Sequence, residues 1–200
     1  MSTWRWNPGS GKYDIPYAPG DRDYPQLSPT LQAQLRAIEP THDGMIEYFP
    51  CMVQLANGEQ HDCVYVVDAK SYIRIWGVWP DEDRGKRALA IQDVARIHPS
   101  PSRLPVQFAR QMYAVGESGM GYCIFTLQFA DGTRQAYCTG NLIDFPELPE
   151  GKSVRDVVAL IPNEGAREQN LGTREHYWCL LGCRPQRNLV QRLVHALRFS

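Results

Sequence analysis

Two segments of the chain spell nearly the same strand–turn–strand. Val53-Gln54-Leu55-Ala56-Asn57-Gly58 and Leu127-Gln128-Phe129-Ala130-Asp131-Gly132 share an apolar-Gln-apolar-Ala-Asn/Asp-Gly pattern. Asn-Gly and Asp-Gly reach positive φ at low cost, as the tight turn between antiparallel strands requires. Flanking residues alternate apolar and polar. The pattern therefore predicts hairpins over 45–55/60–68 and 122–130/133–139, with Gly58 and Gly132 at positive φ. Six matched positions raise an internal repeat without establishing one.

Other elements follow from local signals. Ser28 as cap and Pro29 as first residue open a short helix with Leu31, Leu35 and Ile38 on one face, stopped by Pro40. Alternation of Ile73, Ile75 and Trp79 reads as a strand over 71–79. Residues 88–97 fit both periods and lean to strand. Residues 104–115 read as the central helix, with Val106, Ala109, Met112 and Tyr113 at helical spacing and Gly116 closing it. Ser153 and Asp156 stand at capping-box spacing and predict a short helix over 154–161. Residues 176–181 read as a strand. The stripe Leu189, Val190, Leu193, Val194 and Leu197 reads as a final helix.

This order gives an α+β class: a mainly antiparallel sheet built from hairpins, with three to four helices packed against it. Residues 1–43, rich in Pro, Gly and aromatics, form an extended arm with one short helix. Residues 44–200 form a single α+β domain ending in a basic amphipathic helix. Hydrophobic residues at 43% and charged residues at 22% suit a globular chain of 200 residues. The net charge of −1 gives no global field toward nucleic acid or membrane. The charge is uneven: residues 184–200 carry Arg184, Arg187, Arg192, Arg198 and no acid, while 44–183 hold 13 basic and 17 acidic residues. The N-terminus lacks a signal-type apolar region, and no apolar run is long enough to span a membrane. The expected location is cytoplasmic, and the six cysteines are expected as free thiols.

Catalytic and metal signatures are weak. The loop Gly116-Glu117-Ser118-Gly119-Met120-Gly121 follows a helix instead of preceding one, and lacks a phosphate-binding lysine. It reads as a cap and reversal. A Cys–His pair drawn from Cys123, Cys138 and His176 is the enzymatic alternative, because all three lie near strand segments. Cys179-x₃-Cys183 has no second pair to complete a zinc site. No metal and no cofactor are therefore expected, and the enzymatic status stays open, leaning to none. Nucleic-acid accessory binding through the basic C-terminal helix and Trp4-Arg5-Trp6 is a further alternative that the slightly negative charge disfavours.

What remains is a binding protein. Tyr65, Tyr72, Trp76, Trp79, Tyr122, Phe125 and Tyr137 exceed what one core face needs, and aromatics concentrate at binding hot spots. The sequence is read as a non-enzymatic, cytoplasmic protein that occupies a surface on a protein partner, a toxin-neutralising immunity-type inhibitor being one form of it. The expected partner is basic, with Trp76, Trp79, Asp81, Glu82 and Asp83 as contact residues. Oligomeric state is not legible.

Overall fold

Both hairpins form, and they lie in different sheets. The computed structural model describes residues 5–7, 12–14, 22, 24–44, 46–165 and 172–182. The elements in chain order are β1 (Arg5–Asn7), β2 (Lys12–Asp14), α1 (Pro29–Ala37), β3 (Thr41–Asp43), β4 (Ile46–Leu55), β5 (Gln60–Asp68), α2 (Ala69–Trp76), β6 (Arg87–Leu89), β7 (Val94–His98), α3 (Val106–Val115), β8 (Cys123–Phe129), β9 (Arg134–Thr139), β10 (Val157–Pro162) and β11 (Tyr177–Leu181). The described residues thus mix three α-helices with a six-stranded sheet, β3-β4-β5-β11-β6 with β7 on β4, and a three-stranded sheet, β10-β8-β9. Pairing is mostly antiparallel; β11 is the exception, parallel to both β5 and β6. β1 and β2 pair with each other. The rest of the arm and the final helix read from the sequence lie outside the described residues.

The hairpins are one motif used twice. In each, Gly58 or Gly132 takes positive φ, +90° and +84°. Its N–H donates to the carbonyl of Leu55 or Phe129 at 2.9 Å. Asn57 and Asp131 keep negative φ and act instead as acceptors, from the N–H of Glu59 (2.9 Å) and Thr133 (3.1 Å). The turn is thus a three-residue loop closed by a left-handed glycine, not a two-residue turn with two positive φ values. Gln54 pairs with Gln60 as Gln128 pairs with Arg134.

The likeness extends beyond the turn. After each hairpin a 3₁₀ turn, Ile91–Asp93 or Val154–Asp156, leads into a strand that pairs back onto the first hairpin strand. The carbonyls of Asp93 and Asp156 accept from Ala56 and Ala130, both at 2.8 Å. Leu55 pairs with Val94 as Phe129 pairs with Val157, and each register then skips one residue, Ala95 or Val158. A helix precedes each hairpin and packs on that third strand: α1 on β7, α3 on β10. The described residues therefore repeat a helix–hairpin–3₁₀–strand arrangement, with β3, α2 and β6 present in the first copy only. Within the hairpins a single residue breaks the match. Cys51 pairs with Val64, whereas Phe125 pairs with Tyr137, so β5 carries one extra residue. Cys63 takes it up at φ +56°, a left-handed conformation unusual for a side-chain-bearing residue, and its N–H is held by Asp62 Oδ1 at 2.8 Å.

Three local readings change. Residues 71–79 are not a strand. Asp68 caps a helix by accepting from Ser71 N–H at 2.8 Å, Gly77 ends it at φ +68°, and Tyr72 stacks on Trp76 one turn later. The Ile73/Ile75 alternation hid this cap pair. Residues 154–161 keep the Ser153/Asp156 capping box but turn only once before the run Val157–Pro162 joins the sheet, where β-branched residues pack better. Residues 88–97 split into β6, the 3₁₀ turn and β7.

The large sheet is buried on both faces. Phe49, Cys51, Val53, Val64, Val66, Cys179 and Leu181 pack against Leu31, Leu35 and Ile38 and the β7 side. Tyr48, Tyr65, Val67, Trp178 and Leu180 pack against α2 and Phe145. The small sheet packs Phe125, Leu127, Phe129 and Tyr137 against α3. Asp144 joins the two units. It is fully buried, accepts from Thr41 Oγ1 (2.6 Å) and Tyr113 OH (3.2 Å), and faces Arg103 Nε at 3.4 Å. Arg103 in turn donates to the Glu39 carbonyl and to Thr41 Oγ1. Burial pushes the Asp144 carboxyl up, against the opposing pull of Arg103, Thr41 and Tyr113.

Candidate functional site

The two units differ most in what joins the hairpin to the 3₁₀ turn. The first inserts α2, a turn-rich loop over 77–86 and β6; the second runs through a loop without helix or strand. All five sequence-derived contact residues fall on that insertion. α2 places Trp76 at its end, and the Trp79 carbonyl accepts from the N–H groups of both Glu82 and Asp83, folding the acids back.

Two cations organise the loop. Arg22 donates through Nη1 to both carboxylate oxygens of Asp81 at 2.8 Å and pairs with Glu82 through Nη2. Its guanidinium lies 5.1 Å from the Trp79 ring centre, and Tyr24 meets the same ring at 5.5 Å. Lys86 sits in an aromatic box, 4.0 Å from the Trp76 ring, 5.2 Å from Tyr72 and 5.9 Å from Trp178. Asp83 approaches its ammonium at 3.4 Å. Burial lowers the Lys86 pKa, and Asp83 opposes that shift.

These contacts revise the roles of the five residues. Trp79 is 4% exposed and belongs to the core. Trp76 is half-buried over Lys86. Asp81 and Glu82 are engaged by Arg22, and Asp83 by Lys86 and the Gly85 N–H. A cleft of about 360 Å³ lies alongside, lined by Tyr24, Pro25, Pro80, Asp81, Leu89 and Trp178 among others. Ile75 of α2 is among the few exposed large apolar side chains. Arg22 and Trp178 escaped the sequence reading. Nothing local marks them, because each meets the loop only through the fold.

The thiol alternative is placed differently. Cys123 opens β8 and Cys138 stands opposite Ile124 on β9, both in the small sheet. His176 precedes β11 in the large sheet, edge-on to Tyr65 at 5.3 Å and Trp178 at 5.7 Å, and burial lowers its pKa. The five described cysteines are free thiols. Burial pushes Cys63 and Cys123 up to about 11, Cys179 up to about 12, and Cys51 up as well. Such thiols hold their protons at neutral pH and are poor nucleophiles. Cys183 and the basic tail lie outside the described residues. Among the described residues, no group of three or more His, Cys, Asp and Glu could hold a metal, and no helix is long and apolar enough to cross a membrane.

No protein-family model matches the chain, and no curated protein or solved structure matches it.

Proposed function

We propose that the chain is a non-enzymatic binding protein that covers a surface on a protein partner, with the 69–90 insertion as its contact element. One observation carries the reading: of two equivalent units, only the first carries this insertion. The repeated unit forms without it in the second copy; in the first, its inner side covers the large sheet through Tyr72 and Trp79, and its outer side is left for contact. The insertion presents exposed Ile75, half-buried Trp76 and the acids Asp81, Glu82 and Asp83. The segment also carries Lys70, Arg74, Arg84, Lys86 and Arg87, so an apolar point on a surface of mixed charge is what it offers, with Asp81, Glu82 and Asp83 as the groups that a basic face on the partner would meet. An inhibitor that neutralises a toxin by covering it is one such protein. The burial of Cys51, Cys63, Cys123 and Cys179 weighs against a thiol-dependent hydrolase or transferase built on them, and Cys138, only partly buried, lies in the small sheet whereas His176 precedes a strand of the large one.

The test is retention of a partner from the native host, followed by titration of the purified pair. Ile75→Glu is the informative variant; Asp81 is unsuitable because Arg22 holds the loop through it, and Trp79 because its loss would leave a core cavity. The variant should weaken binding about tenfold or more with an unchanged melting temperature. Retention of no protein would defeat the binding reading. Unchanged affinity in the variant would move the contact element elsewhere.

A further inference from the structure

The loop between α3 and β8 carries a side chain that nothing among the described residues covers. Met120 is 99% exposed, and Val115, the last residue of α3, is 51% exposed. The loop beneath them is closely tied. Gly121 N–H donates to Glu117 Oε2 at 2.8 Å, and Asn141 Nδ2 donates to Glu117 Oε1 at 2.6 Å. Ser118 N–H reaches the Tyr122 carbonyl at 3.0 Å, and Tyr122 N–H reaches the Gly119 carbonyl at 3.1 Å. Ser118 Oγ bonds Asn163 Oδ1 at 2.6 Å and accepts from Ile124 N–H at 2.8 Å. Both flanking glycines are constrained, Gly121 by its backbone and Gly119 by the Tyr122 ring, which any side chain there would have to displace. A Cβ on Gly119 would lie 2.4 Å from the Tyr122 ring, and Gly121 sits at φ +77°.

A turn of this kind needs polar groups and glycines; it gains nothing from methionine at the tip. An apolar side chain held outward by an ordered loop has already met much of the ordering cost of binding. Methionine also adapts its shape to an apolar pocket. The charge at its base is negative. Glu117 receives only N–H donors, Asp43 lies close enough to feel its charge, and neither forms an ion pair among the described residues.

We propose that Met120 anchors a second contact surface, in the second unit, fitted to a protein partner whose apolar pocket is rimmed by lysine or arginine. The proposal stands on the 116–122 loop and does not depend on the 69–90 insertion.

A diazirine-bearing residue introduced at position 120 of the full chain, expressed in the native host and irradiated, should yield one dominant protein adduct. The same residue at position 75 serves as the comparison. With the adduct partner purified, Met120→Glu should weaken binding about 30-fold or more, as loss of a buried hot spot does. Met120→Leu should stay within about threefold, since the apolar volume is kept. Affinity should also fall as salt rises from about 50 to about 300 mM, because the rim contacts are charged. Absence of an adduct at 120, an adduct with a second copy of this chain, unchanged affinity in Met120→Glu, or affinity indifferent to salt would overturn the proposal. An adduct at 75 without one at 120 would overturn it while leaving the proposed function standing.

Discussion

The two units of this chain share a turn, a skipped residue and a 3₁₀ anchor, yet they sit in different surroundings. The first hairpin is clamped between α1 on one face and α2 with Phe145 on the other. The second rests on α3, and Val158 on its third strand is 53% exposed. The comparison separates two kinds of cause. Turn geometry recurs because it is local: a glycine and an Asn or Asp acceptor suffice. Burial does not recur, because it depends on what else the chain lays over each sheet. The first unit also tolerates an extra residue at Cys63, which the second lacks.

The largest test removes the link between the units. Asp144→Ala should cost about 3–5 kcal/mol in chemical denaturation, because Arg103 would remain buried without its carboxylate. A loss under about 1 kcal/mol would mean that the units hold together without this link. Asp144→Asn refines the point. Burial raises the native carboxyl above its ordinary value, so the folded state keeps that proton longer than the unfolded chain. Its contribution is full below the ordinary carboxylate range and declines as pH rises through the folded value. Asn cannot titrate, so the variant should show a flatter stability–pH profile.

The next effect contrasts two buried cysteines of the first hairpin. Cys51→Gly should lose about 2–3 kcal/mol, from a lost core side chain and a glycine inside a strand. Cys63→Gly should stay within about 1 kcal/mol of the parent, because relief of the left-handed conformation offsets the lost thiol. Equal losses at both positions would sink the account of the extra residue.

The smallest effect should be the same in both units. Gly58→Val and Gly132→Val should each cost about 1–2 kcal/mol by thermal or urea unfolding, since a β-branched side chain resists positive φ. Nothing lies within 4 Å of a Cβ added at either glycine, so the cost is conformational and not steric crowding. A much larger loss in one unit would show that the turns are not equivalent.

What the sequence by itself determined are features settled within a few residues. They include both glycine turns, the Ser28–Pro29 start of α1, the span of α3 and its Gly116 stop, the Ser153/Asp156 box, and the strand at 177–181. Each rests on φ preferences or on a cap reaching three residues along the chain. Local pattern failed where two periods fit the same residues. Ile73 and Ile75 alternate like a strand, and the helix there is decided by Asp68, Gly77 and the packing of Tyr72 and Trp76 on Trp178. Tertiary structure alone decided the rest. Arg22 finds Asp81 across 59 residues, and Thr41 finds Asp144 across 103. β11 enters between β5 and β6 in parallel, and the paired hairpins become true copies only once β7 and β10 return to them. The reason is physical: burial, ion pairing and strand partnership are properties of neighbours in space, and a linear pattern records only neighbours along the chain.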